Sequence, residues 1–415
     1  MQSIRPTLLI VTSTFPRWHG DREPPFVFEL SRRMTRNFTV HVLAPHALGT
    51  KDIEDMDGIR VFRFRYFWED GEKLAYDGGI LANLKQYPWR FFLVPFFLLG
   101  ELAALIHLLK SGRYDIVHAH WLIPQGLVAV LALIFSGTRL PILCTSHGGD
   151  LFALKGKLVR NLKRFVLSRI DGLTVVSRAM REETLRLGSR NIMTDVIPMG
   201  VDLKKVFVPP PNTTVRRSGQ LLFVGRLVEK KGLIYLIRAM PTILRVHPEV
   251  RLLIAGSGPE EKALMEETGR LNLRANVSFL GAIENSRLPE LYQSSEIVVF
   301  PSITAADGDQ EGFGLVQVEA LGCRCGVVAT DLPAIRDIIL DGKTGLIVPQ
   351  QDEAALAAKI IYLLDQADVR SELGRAGRVF VSERYDWDII AERYREMIEK
   401  VMASKHPHVQ ISTIL

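Results

Sequence analysis

The segment richest in chemistry is Asp307-Gly-Asp-Gln-Glu311-Gly-Phe-Gly314-Leu-Val-Gln-Val-Glu319-Ala. It follows an apolar run, Ile297 to Phe300, that reads as a strand, and it opens a helix near Gly314. Glycines ahead of a helix N-terminus let bare backbone N–H groups approach an anion, with the helix dipole behind them. Glu311 sits just before this nest and Glu319 lies in the helix beyond it. If all eight intervening steps were helical, the two carboxylates would stand roughly 12 Å apart at ~1.5 Å per residue. A pair flanking one glycosidic bond with retention needs about 5 Å. The two carboxylates therefore suit opposite ends of a long ligand whose phosphates lie between them.

Cations for such a ligand occur in Leu221-Leu-Phe-Val-Gly225-Arg226-Leu-Val-Glu-Lys-Lys231-Gly232, where a strand ends at Gly225 and a turn leads into a helix. Arg226 offers a planar fork for bidentate phosphate contacts and Lys231 a compact point charge. Together with a helix N-terminus they can stabilise a departing diphosphate without a metal. A third segment, Cys144-Thr-Ser-His147-Gly-Gly-Asp150, sets a histidine at the end of another strand, a position that faces a ligand cleft.

The elements that position these groups alternate strand and helix. In the first half, Thr7–Thr12 reads as a buried strand, Phe26–Arg36 as an amphipathic helix and Phe38–Ala44 as a second strand. Further strands follow at Ile116–Ala119, Ile142–Ser146, Gly172–Val176 and Asp195–Ile197. Continuous apolar strands mark a parallel sheet covered on both faces. The second half restarts the pattern with strand Leu221–Val224, helix Gly232–Arg245 and strand Val250–Ala255. It continues through strands Val277–Phe279, Ile297–Phe300, Val327–Ala329 and Gly345–Val348. Between the halves, residues 203–219 hold Pro209-Pro210-Pro211 and a polar run from Asn212, and read as a linker. The expectation is an α/β chain of two Rossmann-like doubly wound domains, residues 1–202 and 220–386, facing each other across a cleft. Ligands then belong at the carboxyl ends of the strands.

In order and spacing these segments resemble the retaining family-4 glycosyltransferases of GT-B fold. The resemblance spans nearly the whole chain. It is carried by Ser13-Thr-Phe-Pro-Arg-Trp-His-Gly20-Asp, Val117-His-Ala-His120-Trp, His147-Gly-Gly-Asp150, Gly225-Arg226 with Lys231-Gly232, Ala255-Gly-Ser-Gly-Pro259, Phe279-Leu-Gly281, and Glu311 to Glu319. The resemblance implies that Glu311 meets the donor sugar and Glu319 holds the nucleotide ribose. Arg226 and Lys231 become the diphosphate clamp, helped by the backbone at Gly314, Leu315 and Val316. His147 becomes the residue beside the reacting sugar, with Asp150 in the donor-binding set and Ile283 in the base pocket. Gly20 matches the glycine that lets the first loop close over phosphates, although many relatives have a glycine pair there. The implied reaction moves a sugar from a nucleotide-diphosphate sugar to a carbohydrate or lipid-linked acceptor, in cell-surface polysaccharide or glycolipid synthesis. It is often described as a front-face displacement, needs no cofactor and no metal, and keeps the anomeric configuration. The final helix, Trp387 to Met402, is expected to cross back to the first domain ahead of a tail ending at residue 415.

Composition excludes several other classes. The 415 residues are 47% apolar and 24% charged, as in globular proteins and unlike disordered ones. Three cysteines make neither a disulfide framework nor a four-ligand zinc site, so a cytoplasmic setting is expected. The opening apolar run is too short for a secretory signal core. Residues 1–205 carry 28 Lys and Arg against 19 Asp and Glu, and the remainder 24 against 27, which favours an anionic partner for the first half. No nucleic-acid-binding pattern occurs.

Four short motifs compete. Asp307-Gly-Asp309 imitates a metal-binding Asp-x-Asp, but Arg226 and Lys231 already supply positive charge. Gly342-Lys343-Thr344 lacks the first glycine of a P-loop, and Gly256-x-Gly258 lacks the third glycine of a dinucleotide fingerprint. Cys323-x-Cys325 reads as two small core residues. At the level of function, a sugar-nucleotide epimerase or a silent binding protein would share the same clamp.

The tract from Phe62 to Phe97 holds 12 of the chain's 34 aromatic residues. That excess over an even share suggests, with the basic stretch Lys155 to Arg169, an acceptor platform making peripheral membrane contact through the first domain. Phe91 to Leu109 is long enough to span a bilayer, yet Pro95, Glu101 and His107 interrupt it, so a covered helix is expected.

Overall fold

The computed structural model describes residues 5–21, 23, 25–211 and 216–405. The chain divides into two compact units, the first made of Met1–Val176, Met180–Ile197 and Ala391–Leu415, the second of Ser177–Ala179 and Pro198–Ile390.

The first unit is built on eight strands: β1 (Thr7–Val11), β2 (Thr39–Pro45), β3 (Ile53–Met56), β4 (Ile59–Phe64), β5 (Ile116–His120), β6 (Ile142–Ser146), β7 (Gly172–Val175) and β8 (Met193–Val196). Their order is β3-β4-β2-β1-β5-β6-β7-β8, parallel throughout except for β3. Leu8 to Val11 and all of β5 and β6 are buried, as strands covered on both faces must be. The sequence reading passed over the β3–β4 hairpin. Its signal was present: Asp57-Gly58 forms the two-residue turn, with φ of +50° and +81°, the positive pair that suits strand twist.

The second unit carries β9 (Gln220–Val224), β10 (Arg251–Ala255), β11 (Val277–Gly281), β12 (Ile297–Phe300), β13 (Gly326–Thr330) and β14 (Leu346–Val348). The order β11-β10-β9-β12-β13-β14 is all parallel. Chain connections leave β9 and β12 toward opposite edges, so a crevice opens at their carboxyl ends. The core gathers Leu221, Phe223, Ile254, Ile297 and Val328 with Leu236, Ile237 and Met240 of the helix Leu233–Val246. Each such side chain contributes about 1.5–3 kcal/mol of burial.

The stretch expected to be a linker belongs to the second unit. Leu203 and Phe207 are buried, and Arg378 donates to both of their carbonyls and to that of Gly322. Composition suggested a free connector; two apolar anchors ahead of the prolines decide otherwise. Asn212–Val215 of the polar run, and the tail after Lys405, lie outside the described residues. The last helix, Trp387–Lys405, starts in the second unit and belongs to the first from Ala391 on. Within the first unit, Arg393 donates to the Val196 carbonyl at 2.8 Å, and the Tyr394 ring lies 5.8 Å from that of His118.

The long apolar helix, Leu93–Ser111, is covered along one stripe only. Leu93, Phe97, Glu101, Leu105 and Leu108 recur at three- and four-residue spacing and are buried, while Phe96 and Leu99 face outward. It is long and apolar enough to cross a membrane by length and composition, with a third of its apolar window buried.

Candidate active site

Two turns meet at the carboxyl ends of β9 and β12. After β9 the chain passes through Gly225 to Gly232; after β12 it runs from Pro301 to Gly314. Gly232 sits at φ +60°, and a Cβ there would lie 2.0 Å from the Pro301 carbonyl oxygen, so only glycine lets the turns close together. The Ile303 amide donates to the Lys230 carbonyl at 2.8 Å, and the Ala306 amide donates to Glu229 Oε1 at 2.9 Å. The Ala255-Gly-Ser-Gly-Pro259 turn braces the same region. A Cβ on Gly256 would lie 1.9 Å from the Gly225 carbonyl oxygen, and the Leu227 amide donates to the Ser257 carbonyl at 2.9 Å.

Two adjacent lysines then tie the turns by charge. Lys230 lies 3.1 Å from Asp309, and Lys231 forms an ion pair with Glu311. Burial alone would raise the Glu311 carboxyl. Lys231 and Lys230 outweigh it, with the Phe313 amide helping, and hold it at about 2. Glu311 is thus held ionised at neutral pH while it pairs with Lys231. Asp307-Gly-Asp309 is bound up in the same network: Asp307 Oδ1 accepts the Asp309 amide at 2.8 Å and Asp309 meets Lys230. Among the described residues no group of three or more His, Cys, Asp or Glu is arranged to hold a metal ion.

Gly314, at φ +101°, caps the helix Leu315–Gly322, so the amides of Leu315 and Val316 lie in its first turn. The helix begins at Leu315, next to the expected start near Gly314, so the steps from Glu311 to Gly314 are not helical. Glu319 is buried one turn further on and accepts from the Tyr292 hydroxyl at 2.9 Å. Burial pushes its carboxyl up to about 7 despite that bond. Tyr292 was missed in the sequence, because nothing in its spacing on the helix Leu288–Ser294 separates it from a core aromatic. Arg226 is exposed in the β9 turn, and Ile283 is half-buried in the turn after β11. Cys323 and Cys325 are buried free thiols, the latter donating to the Tyr292 carbonyl at 3.1 Å.

In the first unit, His147 follows β6. Its ring lies 4.8 Å from Phe26, 5.0 Å from Trp121 and 5.2 Å from His120, centre to centre. Asp150 is not placed to meet a ligand. It is 2% exposed, its Oδ1 accepts from the Ser146 hydroxyl and its Oδ2 from the Leu122 amide, both at 2.7 Å. It pins the β5 and β6 turns to one another and thereby supports His147. Gly20, at φ +83°, is exposed in the loop after β1, which is clamped by Arg17 gripping both oxygens of Asp21 at 2.8–3.0 Å.

Replacing Lys231 by Met has a defined acid-range consequence. Glu311 sits below its ordinary value in the fold, so it contributes stability above about pH 4.5 that is lost as pH falls toward about 2. Denaturant unfolding from pH 5 to pH 2 should show the Lys231→Met profile shallower than wild type, by at most about 1.4 kcal/mol per pH unit. Parallel profiles would contradict the pairing.

Comparison with known proteins agrees with this geometry. The family described as Glycosyl transferases group 1 matches residues 210–380, and Glycosyltransferase Family 4 matches residues 25–205. A phosphatidyl-myo-inositol mannosyltransferase of Mycobacterium leprae is 31% identical over 299 residues, covering 71% of this chain and 76% of that protein. A glycogen synthase of Mycobacterium tuberculosis is 28% identical, covering 68% of each chain. Among solved structures, sucrose-phosphate synthase of Thermosynechococcus elongatus has a TM-score of 0.78 at 22% identity, covering 96% of this chain and 100% of that one. Anabaena HepE, in complex with UDP and glucose, has a TM-score of 0.72 at 18% identity, covering 95% and 100%. With the two sheets, the paired turns and these relatives together, the chain belongs to the family-4 glycosyltransferases of GT-B fold.

Proposed function

We propose that this glycosyltransferase takes a sugar from a nucleotide-diphosphate donor and passes it, with retention of anomeric configuration, to a carbohydrate or lipid-linked acceptor. The observation that carries the reading is the Lys231–Glu311 pair at the switch point of the second sheet. A diphosphate entering there competes with Glu311 for the Lys231 ammonium. Arg226 and the first-turn amides at Gly314, Leu315 and Val316 add to the same positive field, so the leaving group is neutralised by fixed charges. Glu311, ionised and released from Lys231, then faces the sugar, where it stabilises positive charge as the anomeric C–O bond breaks. The acceptor oxygen attacks on the face the diphosphate leaves, and a phosphate oxygen takes its proton. Glu319 receives the ribose hydroxyls, Ile283 borders the base, Gly20 lies beside the phosphates, and His147 contacts the sugar.

The test is an assay of nucleoside diphosphate release from a panel of sugar nucleotides, with and without candidate acceptors, in excess chelator. Turnover should require an acceptor, persist in chelator and give product of unchanged anomeric configuration by NMR. Glu311→Ala and Lys231→Ala should each lower kcat at least about 100-fold while staying folded. Full activity in folded Glu311→Ala, or dependence on a divalent cation, would sink the assignment.

The acceptor reading extends to lipid, in a cytoplasmic enzyme working at a membrane face in glycolipid or polysaccharide synthesis. One relative is named a phosphatidyl-myo-inositol mannosyltransferase. In the first unit, Trp68, Trp89 and Phe91 are 69%, 59% and 61% exposed, and Trp68 and Trp89 join Phe67, Phe92 and Phe96 in one ring cluster. Exposed Lys155, Lys157, Arg160 and Arg164 lie in a stretch without acids from Leu151 to Ile170. Lys163 is excluded from that face, since it is buried and donates to the carbonyls of Leu151 and Leu154. Exposed aromatic rings and a run of exposed cations on one unit suit an anionic bilayer interface. Vesicles containing anionic phospholipid should sediment the wild-type protein, and Trp89→Ala/Phe92→Ala should reduce binding several-fold. Unchanged sedimentation would remove the membrane from the reading.

A further inference from the structure

Three histidines crowd the carboxyl ends of β5 and β6. His118 and His120 alternate along β5 and so project to one face of the sheet. His118 Nε2 meets Thr145 Oγ1 at 2.7 Å, and that oxygen meets Thr174 Oγ1 at 2.5 Å. His120 Nδ1 meets His147 Nε2 at 2.9 Å, with the two rings 9° from parallel. Each ring has one buried nitrogen without a hydrogen-bond partner: His118 Nδ1, His120 Nε2 and His147 Nδ1.

Burial favours the neutral form of all three rings, with His118 and His147 lowered to about 3 and His120 lowered well below its ordinary value. A neutral imidazole carries one N–H. His118 Nε2 shares one hydrogen with Thr145 Oγ1, and its Nδ1 has no partner among the described residues. The His120–His147 bond uses only one of its two N–H groups, so the other must stand on an unpartnered nitrogen, His147 Nδ1 or His120 Nε2. A buried donor with no acceptor is unfavourable, because the hydrogen bond it made to water is not replaced. His120 is 1% exposed, closed in by the rings of His118, Trp121 and His147. His147 is half-buried, less closed in than His120, and leads into Gly148-Gly149, with Gly148 at φ +109°.

We propose that His120 is a positioning residue: its Nδ1–H holds His147 in the tautomer protonated at Nδ1, and that N–H is the donor an oxygen of the bound sugar nucleotide completes. The inference rests on the reading that His147 faces the sugar. It adds that His147 acts as a neutral hydrogen-bond donor and takes no proton. Its Nε2 lone pair is engaged by His120 and its Nδ1 is already protonated. The acceptor's proton must then leave by another route, which agrees with a phosphate oxygen as its destination.

The direct test uses the full chain labelled with 15N-histidine, in which long-range 1H–15N spectra identify the protonated nitrogen of each ring at neutral pH. His147 should be protonated at Nδ1 and bare at Nε2, and His120 protonated at Nδ1. A proton on His147 Nε2 overturns the proposal whatever the enzyme's activity, which separates its failure from failure of the functional reading. Two variants add a kinetic readout. His120→Asn keeps an N–H donor at the same number of bonds from Cα, whereas His120→Asp offers only an acceptor. The asparagine variant should keep kcat within about threefold; the aspartate variant should lose about 100-fold or more, mainly in kcat rather than donor KM. It should also move the His147 proton to Nε2. Equal kcat in the two folded variants overturns the proposal; should aspartate at 120 prevent folding, the wild-type spectrum decides.

Discussion

The ion pair between Lys231 and Glu311 is the constraint on which the candidate site of the second unit turns. Two opposite charges, each about one-sixth exposed, are held together at the ends of β9 and β12 by turns that only glycine at 232 lets close. Taken alone, such a pair is weak evidence of stability, because desolvation offsets much of its attraction. In the proposed reading its value lies in exchange: a diphosphate would offer Lys231 a better partner than one carboxylate and leave Glu311 beside the proposed sugar position. Lys230 and Asp309 tie the same two turns, and would keep the backbone registered while Lys231 changes partner.

Much of this was legible in the sequence because strand ends and glycines carry the site. β6, β9 and β12 fall at or within a residue of their expected bounds, and Arg226, Lys231 and Gly314 stand in the expected turns. What the sequence could not supply was side-chain pairing. Nothing in the spacing shows that Lys231 spends its charge on Glu311, or that Lys230 takes Asp309 out of an apparent Asp-x-Asp motif. Asp150 was drawn into the donor set because it closes a motif, whereas burial and two hydrogen bonds give it a supporting role. Tyr292 could not be found, since a buried tyrosine bonded to a carboxylate looks like any core aromatic until the two helices are packed. The residues 203–219 misled by composition, since prolines suggest a connector while Leu203 and Phe207 anchor its first part.

The two units show different electrostatic strategies. The second surrounds its crevice with paired charges, so that Glu311 is held down to about 2, while buried Glu319 is pushed up to about 7. Two carboxylates eight residues apart are thus pushed in opposite directions by their environments, one kept ionised at neutral pH and the other raised by burial. The first unit uses no charge at His147. It relies on neutral rings, stacked and hydrogen-bonded, whose donors and acceptors are rationed by burial. One run of exposed cations in this unit lies on the stretch from Lys155 to Arg169, apart in sequence from the exposed rings of Trp68, Trp89 and Phe91.

The sharing of Lys231 can be measured by calorimetric titration of UDP and GDP into wild type and Glu311→Gln in excess chelator. A nucleoside diphosphate lacks the transferred sugar that Glu311 is proposed to contact, so the comparison isolates the competition for the ammonium group. Removal of the competing carboxylate should tighten the better-bound diphosphate by about tenfold, equivalent to about 1.4 kcal/mol, even as transfer activity is lost. Unchanged or weaker binding in a folded Glu311→Gln variant would contradict the exchange.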